Sequence, residues 1–250
     1  INTQPGSEAR QRFDELGPSV CAMGLVAPDP VQAANRAAAL LSARHVSPLG
    51  PNELQLPAII SPGGAVVHFV HAGSTLDADF VAPVPRAPVP AQCGLTHVDH
   101  MALALANDQL DTWTLFAQSI LGLSAGESLE LADPFGLIRS CALTNAERSL
   151  RLVLNVSKSQ RTRTAQQVRA TGRSGGGVHH IALATNDIFA TVQRLTAQGV
   201  KWLPISHNYY DDLLARLSAC DVCVNPDPLN PLNDVSSMNK IVEYMALGRP

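Results

Sequence analysis

The sequence is poor in charge. Only 16% of its 250 residues are Asp, Glu, Lys or Arg, against roughly 25% in an ordinary soluble domain. Hydrophobic residues make up 46%, which excludes the low hydrophobicity and high charge of a disordered chain. Positive charge is not in excess either, since 18 basic and 21 acidic residues leave a formal charge of -3. Such a chain has no surplus with which to neutralise a phosphate backbone, and nucleic acid is not expected as a partner. Unbroken apolar runs are missing as well. Pro, Gly, Asn and Gln interrupt the long uncharged stretches before the ~20 residues of a membrane span, so no membrane partner is expected. Cysteines are few: Cys21, Cys93, Cys141, Cys220 and Cys223 are too scattered for a disulfide framework and suit a reducing, cytoplasmic setting. Cys220 and Cys223 lack the second pair or nearby histidine of a zinc site, and read as the core of a short strand. No signal-peptide pattern opens the chain, and both ends read as cut. The length suits one large domain or two small ones.

What is present is repetition. Val98-Asp99-His100-Met101-Ala102-Leu103-Ala104-Leu105 runs into a helical pattern from Asp111, and eighty residues on Val178-His179-His180-Ile181-Ala182-Leu183-Ala184-Thr185 runs into another from Asp187. A fainter copy, Val20 to Val26, precedes a helix expected around Val31 to Ala43. Each is a strand, a turn with Asp and a helix. Alanine and leucine, the best helix formers, fill the first helix. Trp113, Phe116, Ile120 and Leu121 line one side of the second, which stops at Gly122. Ile188, Val192 and Leu195 form the stripe of the third, with Asp187 as N-cap and Gly199 as stop.

SLELAD, GLIRSCAL and LRLVLNV read as three strands after the second helix, completing a β-α-β-β-β unit. The first unit offers only Leu54 to Ile60 and Ala65 to His71 as further strands, and the third only Lys201 to Leu203. The fold class expected is α+β, with repeated βαβββ units forming open half-barrels and the last unit incomplete. The prolines at 83, 85, 88 and 90 stiffen the chain and remove donors, marking a linker at 85–92. A partial first region then covers 1–84 and a pair of units covers 93–217. Residues 157–177, basic and glycine-rich, read as a solvated loop.

Both repeated strands are apolar on both faces, and a buried imidazole needs a partner or a metal. Strict alternation puts His100, Ala102 and Ala104 on one face, and His180, Ala182 and Ala184 on the equivalent one. Two equivalent strands then bring His100 and His180 together across a pseudo-twofold, as two ligands of a metal, with Ala102 and Ala182 leaving room for a substrate. By the same parity His97 and His179 point away, and His68 and His71 face opposite ways. The first unit has Ala22 where the others have histidine. Non-haem iron adds a carboxylate to two histidines; Glu127, Glu130 and Asp133 are candidates that no spacing specifies.

Residues 1–217 resemble the vicinal oxygen chelate superfamily, and within it the 4-hydroxyphenylpyruvate dioxygenase-like part of bacterial 3-dehydroshikimate dehydratases. The motifs are GPSVCAM at 17–23, GPNELQLPAI at 50–59, THVDHMALA at 96–104, SLELADPFGLIRS at 128–140, ERSLRLVLNVS at 147–157, GGVHHIALATNDIFATVQRL at 176–195 and LPISHNYYDDLLARL at 203–217. The resemblance implies a divalent metal, Fe(II) or Mg(II), Mn(II) or Co(II), held by His100, His180 and a glutamate late in the last unit. It places Ser140, Asn155 and the turn Asn208-Tyr209-Tyr210 around a cavity for a small aromatic or cyclic hydroxyacid or oxoacid. It also implies a separate N-terminal barrel that dehydrates 3-dehydroshikimate to protocatechuate in aromatic catabolism, and that barrel is absent here. Oxidation of a 2-oxoacid by non-haem iron and a non-catalytic binding or packing module are the alternatives, with homo-oligomers open.

The text changes at about Ser218. Residues 218–250, ending IVEYMALGRP, resemble a fragment of a retaining GT-B glycosyltransferase, which implies contact of Glu243 with a nucleotide-sugar donor. The family's late glutamate is then missing, and residues 218–250 read as a chimeric junction, too short to bury a core alone.

Overall fold

A βαβββ unit needs a strand, a crossover helix and three more strands, and two complete sets are present. The computed structural model describes residues 7–17, 19–46, 54–74, 93–133, 135–171 and 176–202. After α1 (Glu8–Leu16), the first set is β1 (Ala22–Val26), α2 (Pro30–Ala39), β2 (Arg44–His45), β3 (Ala58–Ile60) and β4 (Val66–Val70). The second is β5 (Leu95–Leu105), α3 (Leu110–Ser119), β6 (Ser124–Asp133), β7 (Gly136–Thr144) and β8 (Arg151–Val156). Helix α4 (Arg163–Thr171) then leads to β9 (Gly177–Thr185) and α5 (Ile188–Ala197).

Strand order is β1-β4-β3-β2 in one sheet and β6-β7-β8-β5-β9 in the other. In each complete unit the first strand lies parallel to the last, and the remaining pairs are antiparallel. The two units therefore share one topology, and β9 opens a third by pairing antiparallel with β5. The class is α+β with two open sheets, as the repeat implied; among the described residues neither closes into a barrel.

The larger sheet is held by its α3 side. Leu103 and Leu105 of β5, Leu143 of β7, and Leu152, Leu154 and Val156 of β8 pack with Leu110, Trp113 and Ala117. Each large side chain so buried is worth about 1.5–3 kcal/mol. Ala34 and Ala37 of α2 cover Ile59, Val67 and Phe69 of the smaller sheet, and Phe116 of α3 touches both clusters. The face of the larger sheet opposite α3 is left to carry polar groups.

The chain divides into two compact units, residues 1–191 and 192–250, and both sheets lie in the first. In the second, α5 ends with Val200 N–H returning to Leu195 O at 3.0 Å and Gly199 at φ 91°, the stop expected at that glycine. Trp202 Nε1 donates to Thr196 Oγ1 at 2.7 Å beside it.

Four local expectations are corrected. The first unit is complete, because β2 supplies the strand that two residues were too short to announce. Helix α2 stops at Ala39 rather than Ala43, because Leu41 turns left-handed at φ 66° and Ser42 N–H bonds Ala37 O at 3.0 Å. Residues 163–171 are helical rather than looped: buried Thr162 caps them, its Oγ1 accepting from Ala165 N–H at 3.3 Å. Lys201 and Trp202 are not in a strand.

Leu41 is 94% exposed, so its side chain offsets none of the cost of the left-handed backbone. Leu41→Gly is expected to stabilise the protein by roughly 0.5–1 kcal/mol, read as a higher urea midpoint; an unchanged or lower midpoint contradicts the strain at this turn.

Candidate metal centre

Antiparallel pairing of β5 and β9 sets the geometry. His100 pairs with Ala182, Met101 with Ile181 and Ala102 with His180. The ladder thus has a local pseudo-twofold at the Met101–Ile181 pair, and directly paired residues share a face. His100 and His180 lie diagonally on one face, each beside the other strand's alanine. Their ring centroids are 5.6 Å apart at an interplanar angle of 77°.

Strict alternation fails at the residue before each histidine. The register slips between Val98 and His100 on β5, and between Val178 and His180 on β9. Asp99 and His179 are thus the extra residues of two bulges at equivalent positions of the repeat. A bulge re-aims side chains, and both turn toward their neighbours. His100 Nδ1 lies 2.6 Å from Asp99 Oδ2, and His179 Nδ1 lies 2.9 Å from His180 Nδ1. The expectation that His179 points away from His180 is therefore corrected. His97 is corrected too: it pairs with Ala184, which shares the face of Ala182.

Arg151 at the start of β8 adds a third layer, its Nη1 lying 3.0 Å from Asp99 Oδ2 and 3.3 Å from Oδ1. The His100 hydrogen bond, helped by the Arg151 charge, holds the Asp99 carboxyl below the usual aspartate value despite partial burial. An ionised carboxylate only accepts, so His100 donates from Nδ1 and leaves Nε2 as the nitrogen turned to other partners. Partial desolvation, reinforced by His179 and His100, pushes the half-covered His180 ring below the usual imidazole value, and partial desolvation with Arg163 does the same to His179. Neutral imidazole is the form that binds a metal. Two adjacent imidazoles suit a divalent transition ion, although among the described residues no three His, Cys, Asp or Glu side chains are arranged to hold one.

Ser140, Asn155 and Ala104 form one cross-strand row on the face of the histidines. Ala102, paired with His180, is two residues from that row, so His180 is about 7 Å along the strands from it. Glu127, Glu130 and Asp133 are not brought in. They lie on edge strand β6, three strands from β5 and about 14 Å across the sheet, and Asp133 accepts the Phe135 N–H in its own turn. Tyr209, Tyr210, Asn208, Glu243, Cys220 and Cys223 lie outside the described residues. The sequence reading missed Asp99 and Arg151, although each is the lone charged residue of an otherwise uncharged strand, and that was the available signal.

A second histidine pair stands apart from this site. His45 pairs with Ala58, and Ala58 with His68, in one row across the smaller sheet. His45 Nε2 is 3.0 Å from Glu8 Oε2, while His68 Nδ1 is buried without a partner. Burial first, then His45, lower the His68 pKa from 6.5 against the opposing pull of Glu8. The unfolded chain then binds this proton at higher pH than the folded one, so the contribution is intact above pH 6.5 and is lost as pH falls through the folded value. Urea midpoints at pH 7.5 and 5.5 are expected to differ less in His68→Leu than in the parent protein; equal differences remove His68 from the acid response.

The Glyoxalase/Bleomycin resistance protein/Dioxygenase superfamily matches residues 96–219, the stretch that contains both histidine strands. Those residues are similar to that superfamily. Over 225 residues the chain is 40% identical to a 3-dehydroshikimate dehydratase of Pseudomonas putida, covering 88% of this chain and 35% of the relative. It is 26% identical to a 4-hydroxyphenylpyruvate dioxygenase of Pseudomonas aeruginosa, covering 94% of this chain and 65% of that one. Among solved structures, a xylose isomerase-like TIM barrel/4-hydroxyphenylpyruvate dioxygenase fusion protein matches with TM-score 0.63 and 35% identity, over 95% of this chain and 35% of that chain. The chain thus spans about a third of the dehydratase's length. The likeness expected of residues 218–250 to a glycosyltransferase is not shown by these matches. No described helix is long and apolar enough to cross a membrane.

Proposed function

We propose that this chain is the dioxygenase-like, metal-binding part of a bifunctional 3-dehydroshikimate dehydratase of the cytoplasm, and that His100 and His180 hold its divalent ion. The observation that carries the reading is the diagonal pair of imidazoles, 5.6 Å apart across the pseudo-twofold of β5 and β9. The 40% identity to the Pseudomonas putida dehydratase and the fused architecture of the solved relative support the bifunctional context.

In this reading Nε2 of each histidine faces the ion. Ala102 and Ala182 leave space for the ring of a small aromatic or cyclic hydroxyacid or oxoacid. Ser140 and Asn155 hydrogen-bond its polar groups along their row. When bound, the ion polarises adjacent substrate oxygens as a Lewis acid and, if iron, activates oxygen. In this reading, dehydration of 3-dehydroshikimate belongs to a separate barrel, such as the one fused in the solved relative, and residues 1–250 are not its catalyst.

Metal analysis after equilibration with Fe(II) under anaerobic conditions, followed by gel filtration, tests this reading. Close to one ion per chain is expected, with no conversion of 3-dehydroshikimate to protocatechuate by this chain. A metal content near zero refutes the metal reading and leaves a binding or packing module. Formation of protocatechuate refutes the division of labour.

A further inference from the structure

We propose that Asp99 and His179, the bulge residues immediately before the two histidines, are positioning residues that hold Nδ1 of His100 and His180 and thereby present both Nε2 atoms on one face. The inference rests on the metal reading above and adds to it the residues that prepare the ligands before any ion arrives.

The repeat carries the argument. Neighbours on a regular strand point to opposite faces, so their side chains do not meet. Here the extra residue of each bulge lets a side chain fold back on the next one, at the same position in both units. The contacts are short, 2.6 Å for Asp99 to His100 and 2.9 Å for His179 to His180. Both reach Nδ1, the nitrogen that must be occupied if Nε2 is to be free.

The two supports differ in kind. Asp99 is a carboxylate braced by Arg151 at 3.0 Å, an acceptor with no tautomer of its own. His179 accepts at Nδ1 only when its own proton is on Nε2, so its hold on His180 is conditional. A carboxylate behind one ring and an imidazole behind the other make His100 the better donor of the pair. Arg151 thus acts on His100 through Asp99, which gives that otherwise isolated strand charge its place.

The test uses the full chain, labelled with 15N-histidine and free of metal. Two-bond 1H–15N couplings assign the proton of each ring. In the parent protein His100 is expected to carry it on Nδ1 with bare Nε2, and His180 likewise. Asp99→Ala is expected to move the His100 proton largely to Nε2, and His179→Phe to do the same at His180. Calorimetric titration with Co(II) should then weaken by about 10–100-fold in each variant, more for Asp99→Ala. Asp99→Asn, which keeps a neutral acceptor, is expected to recover part of the loss and serves where the alanine variant does not fold. Unchanged ring protons in the variants, or Co(II) affinity equal to the parent's, overturns the positioning role. A parent protein that binds no Co(II) refutes the metal reading, while the ring protons still decide whether Asp99 and His179 set the tautomers.

Discussion

Replacing His180 by alanine is expected to abolish stoichiometric metal binding while leaving the fold intact. Removing a group that merely supports a ligand costs about 10–100-fold in metal affinity, so removing the ligand itself is expected to cost more than about 100-fold. His180 is itself exposed and takes no part in the α3 core, which β9 reaches only through Val178, so its removal leaves no large cavity behind. His100→Ala carries the same expectation with one difference. It strips Asp99 of the hydrogen bond that most lowers its pKa, so the Asp99–Arg151 pair remains and the site keeps an unused carboxylate. The measurement is Co(II) titration by calorimetry, paired with a urea midpoint for each variant. Retention of parent-like affinity in either one removes that residue from the ligand set. A collapsed midpoint together with lost affinity is resolved by His180→Gln, which keeps the size of the side chain but supplies no imidazole.

The largest expected loss of stability lies on the other side of the same sheet. Trp113 is 2% exposed and packs with Leu110 and Ala117 against the leucines of β5, β7 and β8. Its ring meets Phe116 edge-on at 5.7 Å, and Phe116 in turn touches the cluster of the smaller sheet. Trp113→Ala removes this wedge and leaves a cavity that the surrounding β-sheet cannot close. The expected cost is about 3–5 kcal/mol, a large share of the roughly 5–15 kcal/mol by which a domain is stable. Chemical denaturation should show the midpoint fall with little change in slope. A loss below about 1 kcal/mol would mean that α3 is not what holds β5 and its histidine face in place.

Much of this architecture could be read from residue order. The apolar alternation of Val98 to Leu105 returning at Val178 to Thr185 announces two equivalent strands, and the spacing of Trp113, Phe116 and Leu121 announces the helix that covers one of them. Asp187 as a cap and Gly199 as a stop are local chemistry, and both appear where expected. Less legible were the elements that depend on contact. Strand β2 is only two residues long and exists because Arg44 and His45 find β3. Helix α4 depends on a threonine cap that is fully buried by the rest of the fold. Leu41 takes a backbone conformation that a sequence reader reserves for glycine.

The same division runs through the candidate site. The repeat alone determined that His100 and His180 occupy equivalent positions, because a periodic sequence imposes the same face on the same residue of each copy. Which neighbours join them was decided by the pairing of β5 with β9. A strand read singly alternates without fault, and parity turns Asp99 and His179 away from the rings they hold. Register is a property of two strands hydrogen-bonded together, and a bulge arises where their lengths disagree by one residue. That single residue brings a carboxylate to His100 and an imidazole to His180, and only the folded sheet counts it.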